Sequence, residues 1–295
     1  MNSSNPEALP RQIGRYQIES LLGRGGMAVV YLAFDPYMDR RVAIKLLLKD
    51  RSYDESLRSR FKRESRMVAS LNHPAIVPVY DFGEDDEQPY LVMRYMEGGS
   101  LRERLREAPL SLADVATILS QIAPALDTTH SHNIIHRDLK PSNILFDKTG
   151  QAYLADFGLA KFAEGTFTTL TRNDGGMVGT PAYMSPEQIR AQDHLDGRTD
   201  IYALGVILFE TLAGQLPFKA NGRLPIALMH LSDPVPDIHT MNPSLPEPIS
   251  KIIGRAMAKD REDRFASASD LTAPFVEVAE VESVPEAELP EAPPI

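Results

Sequence analysis

The run His136-Arg137-Asp138-Leu139-Lys140-Pro141-Ser142-Asn143 constrains this chain more than any other stretch, because it packs two acceptors, two cations and a helix-breaking proline into one short segment. No stable helix needs that run. Upstream, Leu112, Val115, Leu119, Ile122 and Leu126 recur at helical spacing and predict a helix ending near His132 and Asn133. Downstream, Ile144-Leu145-Phe146 reads as a short strand. The charged run therefore sits on a loop held by rigid elements at both ends, the setting in which chemistry is usually displayed.

Its companions stand in a fixed order. Before it come the turn Gly23-Arg24-Gly25-Gly26-Met27-Ala28 and the strand Val42-Ala43-Ile44-Lys45; after it come Asp156-Phe157-Gly158 and Ser185-Pro186-Glu187. The loop resembles the H-R-D-L-x-x-x-N catalytic loop of protein kinases, and the four companions resemble that family's other motifs in sequence order. The resemblance covers about residues 16 to 275. It implies an α+β, two-lobed fold: a small lobe, about 16 to 96, of antiparallel β-sheet with one helix, and a large lobe, about 97 to 275, that is mainly α-helical. Lys140 and Thr180 are similar to the serine/threonine branch, and Gly-Arg-Gly-Gly-Met-Ala-Val-Val-Tyr with Ser-Pro-Glu-Gln is most similar to bacterial kinases of the eukaryotic type.

Residues 16 to 50 alternate apolar and polar between turn signals, as antiparallel strands do. Glycines in the first turn let the backbone approach a polyphosphate and offer it N–H groups. Ala28 stands where the third glycine of the family's G-x-G-x-x-G falls, a departure of one methyl group. Lys45, inside an apolar strand, needs a counter-charge. Leu57, Phe61, Val68 and Leu71 form a helical stripe with Glu64 on the same face, which makes that carboxylate the expected partner. The resemblance implies that Lys45 holds the ATP phosphates and that Glu64 fixes Lys45. It places Leu22, Gly23, Arg24, Gly25, Gly26, Met27, Ala28, Val29, Val30, Ala43, Lys45, Met93, Tyr95, Met96 and Leu145 around the nucleotide, with Met93 behind the adenine. The family often has Glu where Arg94 stands. Asp81-Phe82-Gly83 duplicates the metal-binding tripeptide, but it precedes the catalytic loop and reads as a strand end before the acidic hairpin Glu84 to Glu87.

The same resemblance gives Asp138 the role of receiving or orienting the substrate hydroxyl proton, and Lys140 that of a charge facing the γ-phosphate. Asn143 and Asp156 would hold Mg²⁺, with Mn²⁺ as the alternative ion. Lys161 to Val178 lack apolar periodicity and read as a long functional loop. Thr171, then Thr168 and Thr169, and after them Thr166, are its expected autophosphorylation sites, with Arg137 pairing the phosphate. Glu187 would pair Arg264, and Asp200 would tether the catalytic loop, the plainer alternative being a helix N-cap. Ser100 and Ser142 stand where arginine-directed kinases carry carboxylates, so little preference for substrate arginine is expected.

Of the 295 residues 43% are hydrophobic, enough for a sizeable core. The net charge of −10 argues against a nucleic-acid partner. Six glutamates and four prolines between Val276 and Ile295 read as a disordered acidic tail, and residues 1 to 15 as a flexible N-terminus. No window is apolar enough for a membrane span, no secretory leader is evident and cysteine is absent, so a cytoplasmic location is expected; the resemblance implies ATP and protein substrates, with a transient homodimer for autophosphorylation. Two rivals share parts of this pattern. A pseudokinase would not need Lys45, Glu64, Asp138, Asn143 and Asp156 together, and a small-molecule phosphotransferase leaves Thr180 to Glu187 unexplained.

Overall fold

The computed structural model describes residues 9–25, 28–48, 71–157 and 181–283. Strands β1 (Gln12–Ile13), β2 (Tyr16–Arg24), β3 (Ala28–Asp35), β4 (Arg40–Leu47), β5 (Val79–Asp85) and β6 (Gln88–Arg94) form one six-stranded sheet in the order β1-β2-β3-β4-β6-β5. Every neighbouring pair is antiparallel. Side chains alternate across β4: Val42, Ile44 and Leu46 enter a cluster with Tyr16, Ala33, Tyr90 and Val92, while Ala43 and Leu47 join the core that continues into the helical half. Lys45 shares the parity of Ala43 and Leu47, so period-two alternation alone aims it at the space between the two halves.

Asp86 and Glu87 connect β5 to β6 with φ of 44° and 63°, the two-residue turn whose twist suits a hairpin. Strand β5 runs from Val79 through Asp85, and Ile76, outside it, forms an isolated bridge to Leu154. The flexible N-terminus expected up to residue 15 is corrected in part. Gln12 and Ile13 pair with β2, and Ile13 is buried because it fills the cluster around Tyr16.

Seven α-helices follow among the described residues: α1 (Leu101–Glu107), α2 (Leu112–Ser131), α3 (Pro186–Ile189), α4 (Arg198–Ala213), α5 (Arg223–Ser232), α6 (Glu247–Ala256) and α7 (Ala268–Ser283). The hairpin β7 (Ile144–Phe146) and β8 (Ala152–Leu154) lies between α2 and α3 in sequence. Helix α2 starts on a Ser111–Asp114 capping box and stops at His132, after which Asn133 takes the left-handed conformation that asparagine tolerates. Every residue of α4 from Thr199 to Phe209 is buried, as expected of a helix apolar all round. A β-carbon at Gly205 would lie 2.7 Å from Met257 Cγ and 2.9 Å from Ala256 Cβ, so only glycine permits this approach of α6 to α4. Helix α7 takes its first-turn cap from another element: Asp127 of α2 accepts the N–H groups of Ala268 at 2.8 Å and Ser269 at 3.0 Å. The tail expected from residue 276 is also corrected, because α7 runs on to Ser283 and buries Ala279 against the core. No helix among the described residues is long and apolar enough to cross a membrane.

The two halves meet along a line of main-chain bonds. Val77 donates to the Leu154 carbonyl at 2.9 Å, Leu154 to Ala75 at 2.8 Å and Gly98 to Phe146 at 2.9 Å. Arg94, at the end of β6, adds side-chain contacts to Tyr153 Oη at 3.2 Å and the Asp147 carboxylate at 3.5 Å. Those contacts account for an arginine at this position, because a buried aspartate in the β7–β8 hairpin needs a cation.

Candidate active site

The loop between α2 and β7 is organised around Asp138. Lys140 Nζ lies 2.7 Å from one of its carboxylate oxygens, and Asn143 Nδ2 donates to the Asp138 carbonyl at 2.8 Å and more loosely to the carboxylate at 3.3 Å. Pro141 opens the short 3₁₀ turn Pro141–Asn143, where its missing N–H costs nothing, and that turn swings Asn143 back under Asp138. His136 is fully buried, and burial lowers its affinity for a proton, so the ring is neutral near pH 7. The network assigns its tautomer: Nε2–H donates to the Ala155 carbonyl at 2.9 Å, while Nδ1 faces the Asp138 N–H at 3.4 Å.

From the sheet, Lys45 Nζ of β4 meets Asp156 Oδ1 at 2.8 Å. The strand lysine is thus paired with the aspartate that follows β8, and its expected partner Glu64 lies outside the described residues. Asp156 has φ of 58° and Arg137 φ of 62°, left-handed conformations that cost roughly 1–3 kcal/mol each and persist only where the surroundings hold them. Ala43, Met93 and Met96 are buried in the main core, and Val30 and Leu145 pack against it, so five of the side chains expected around the nucleotide belong to one apolar cluster. Ala28 joins the same core, Val29 is buried but has the opposite parity on β3 and so does not share that face, Tyr95 is half-buried and Leu22 and Arg24 are exposed. A β-carbon on Gly23 would meet no protein atom within 4 Å, so packing does not demand glycine there, and close approach by a ligand would. Gly26 and Met27 lie outside the described residues.

The carboxamide oxygen of Asn143 and the carboxylate of Asp156 are the hard oxygen donors that Mg²⁺ accepts, and Mg²⁺ usually takes only one or two protein ligands beside phosphates and water. The residues fit such an ion. Among the described residues no cluster of three or more His, Cys, Asp or Glu side chains could hold a metal without a phosphate to complete the set.

The loop is held from below by α4. Asp200 accepts the main-chain N–H groups of His136 at 2.8 Å and Arg137 at 2.9 Å, and His130 Nε2 at 2.7 Å. Burial pushes its carboxyl up, but the bonds from His130 and His136 outweigh this, and the net shift is down. Asp200 lies inside the first turn of α4 with Gly197 at the N-cap position, which removes the plain-cap alternative. Glu187 of α3 and Arg264 form a buried two-pronged ion pair at 2.7 and 2.8 Å, completed by the Thr199 hydroxyl at 3.0 Å.

Other expected positions have different surroundings. Ser100 caps α1, its hydroxyl accepting from Glu103 N at 3.3 Å and donating to the Glu103 carboxylate at 2.9 Å. Among the described residues the Ser142 hydroxyl reaches Asn143 Oδ1, at 3.4 Å. Asp81 of the duplicated tripeptide accepts the Tyr16 hydroxyl at 2.8 Å and pairs Arg15 at 3.3 Å, a structural tie on the opposite side of the sheet half. Thr166, Thr168, Thr169, Thr171 and Thr180 lie outside the described residues. Sequence reasoning missed Gln188, whose side chain donates to the Arg137 carbonyl at 2.9 Å; its place three residues after Ser185 signalled a capping box and nothing further.

The family described as protein kinase domain matches residues 16–276. The serine/threonine-protein kinase PrkC of Bacillus subtilis (strain 168) is 43% identical over 261 residues, 88% of this chain and 40% of that protein. The probable serine/threonine-protein kinase PknB of Bifidobacterium longum (strain NCC 2705) is 39% identical over 280 residues, 92% of this chain and again 40% of the relative. The chain thus spans about 40% of the length of these curated relatives. Among solved structures, the M. tuberculosis PknI kinase domain superposes with a TM-score of 0.73 at 29% identity, over 92% of this chain and all of that one.

Proposed function

The chain belongs to the protein kinase domain family, and its relatives are serine/threonine kinases of bacterial type; from that premise we propose that it transfers the γ-phosphoryl group of ATP to serine and threonine hydroxyls of proteins. One observation carries the reading. The Lys45–Asp156 pair and the Asp138–Lys140–Asn143 group are tied through the main chain, since the Asn143 carbonyl accepts the N–H of Ala155, the residue before Asp156, at 2.9 Å, while Ala43, Met93 and Met96 belong to the same apolar core. Such a site supplies positioning and charge, the main requirements of phosphoryl transfer. Lys45 would hold the phosphates and Lys140 would face the transferred group. Asn143 and Asp156 would hold Mg²⁺ or Mn²⁺, whose charge neutralises the phosphate oxygens. Asp138 would take the hydroxyl proton, with its carboxylate kept in place by Asn143. Glu64 would stabilise Lys45 once Asp156 turns to the metal.

The experiment is incubation with Mg-ATP and a mixed peptide library, followed by mass spectrometry of peptides and protein. Phosphate on serine or threonine supports the reading; ATP consumption with phosphate only on small molecules overturns it. The catalytic unit would run from β1 to the end of α7 and work in the cytoplasm. Autophosphorylation of Thr171, Thr168, Thr169 and Thr166 in a transient homodimer would place a phosphate beside Arg137, adding about −1.5 to −2 charge near a guanidinium. Replacing all four threonines by alanine should lower peptide phosphorylation at least about tenfold if the phosphate orders the loop. Unchanged initial rates would exclude that regulation.

A further inference from the structure

The left-handed Arg137 is held at both of its main-chain groups. Its N–H goes to Asp200 at 2.9 Å, and its carbonyl accepts from Gln188 Nε2, also at 2.9 Å. Gln188 is 2% exposed, and its Oε1 accepts the Ser185 N–H at 3.0 Å. A flipped amide would set oxygen against the Arg137 carbonyl and nitrogen against the Ser185 N–H, so the surroundings fix which atom is which. The Arg137 carbonyl belongs to the peptide unit that leads directly into Asp138. Turning that unit turns the carboxylate.

We propose that Gln188 is a positioning residue for phosphoryl transfer: it holds the peptide unit between Arg137 and Asp138 in direction and ties that direction to the segment ending at Ser185. The inference rests on the proposed role of Asp138. Neither fixed charge nor periodicity marks Gln188; its buried amide bridges two loops 51 residues apart in sequence. Loss of the bond leaves a carbonyl in the left-handed turn without that donor, and a shift of about 1 Å at a catalytic group can cost on the order of a hundredfold in rate. The plain alternative is that Gln188 only completes the cap of α3.

Gln188→Glu separates the two. Glutamate is a standard capping-box residue and still accepts from Ser185, but it places an oxygen where Arg137 needs a donor. The expected result is a fall in kcat of about 10- to 100-fold, with KM for ATP within about threefold and the number of ATP molecules bound per chain unchanged. Gln188→Met, which removes both bonds without adding charge, should show the same split and serves if the glutamate variant fails to fold. Wild-type kcat in either well-folded variant overturns the proposal, as does a fall in kcat matched by an equal fall in ATP-binding sites, which would mean fewer folded molecules. Failure of the functional reading looks different: wild type and Asp138→Asn would then bind ATP and both transfer nothing.

Discussion

Asp138 shares its carboxylate between Lys140 and Asn143, and in the proposed mechanism it acts on the hydroxyl and not on the nucleotide. Asp138→Asn should therefore leave nucleotide affinity within about threefold while peptide phosphorylation falls by roughly two to four orders of magnitude. Calorimetric ATP titration beside initial rates checks both halves, and equal turnover by mutant and wild type would remove Asp138 from the chemistry. Glu187 and Arg264 are the opposite kind of residue, a buried pair bonded to each other and not to Asp138. Arg264→Leu leaves a carboxylate buried without its cation, at a cost of about 3–5 kcal/mol in urea unfolding. Burial pushes Glu187 up, and Arg264 overrides this to leave its folded pKa below the ordinary 4.5. That contribution is full above the unfolded value and drains away as the pH falls through the folded one, so wild-type stability should drop below about pH 4.5. Glu187→Gln, though less stable at neutral pH, should show a flatter acid limb. The sequence exposed both residues through their motifs, whereas Gln188 and Asp127 act on backbone groups 51 and 141 residues away, and such bonds leave no spacing to read.

Elements were legible in proportion to their periodicity. The stripe from Val115 to Leu126 and the alternation along β4 fix α2, β4 and the facing of Lys45 without reference to any neighbour. Strand β1 was missed because two residues hold no period, and the end of α7 because its glutamates face outward while Ala279 alone marks the buried side. Arg94 shows why the junction of the halves was unreadable: its partners Asp147 and Tyr153 sit on a hairpin more than fifty residues away. With a third of its side chain exposed, Arg94→Met should cost about 1 kcal/mol. Tyr153→Phe should cost less in that background than in the wild type, since the Arg94–Tyr153 bond is already gone and only the hydroxyl's donation to Asp147 at 3.3 Å is left to lose. A double-mutant cycle in denaturant measures the coupling, and additive losses would mean that the arginine does not tie β6 to the hairpin.

At the scale of the molecule, substrate choice is set by surfaces as well as by single side chains. The Ser100 hydroxyl is used within the α1 cap and Ser142 offers no charge, so neither provides a two-pronged acceptor for an arginine. The net charge of −10 still attracts basic peptides, a pull that salt screens beyond about 8 Å at physiological ionic strength. On a peptide array in such salt, arginine two or three residues before the acceptor should raise the rate less than about tenfold. A larger preference that survived further salt would mean that another carboxylate reads it. The cap that Asp127 gives to α7 bears on how the chain is made. Its two partners lie 141 and 142 residues after Asp127, and a ribosome adding about 5–20 residues per second needs on the order of ten seconds to cover that distance. For that interval nascent α2 presents the apolar side meant for α7 with nothing yet synthesised to cover it. The last helix thus completes the core late, and chaperone demand during synthesis should peak between the emergence of α2 and that of residues 268–283.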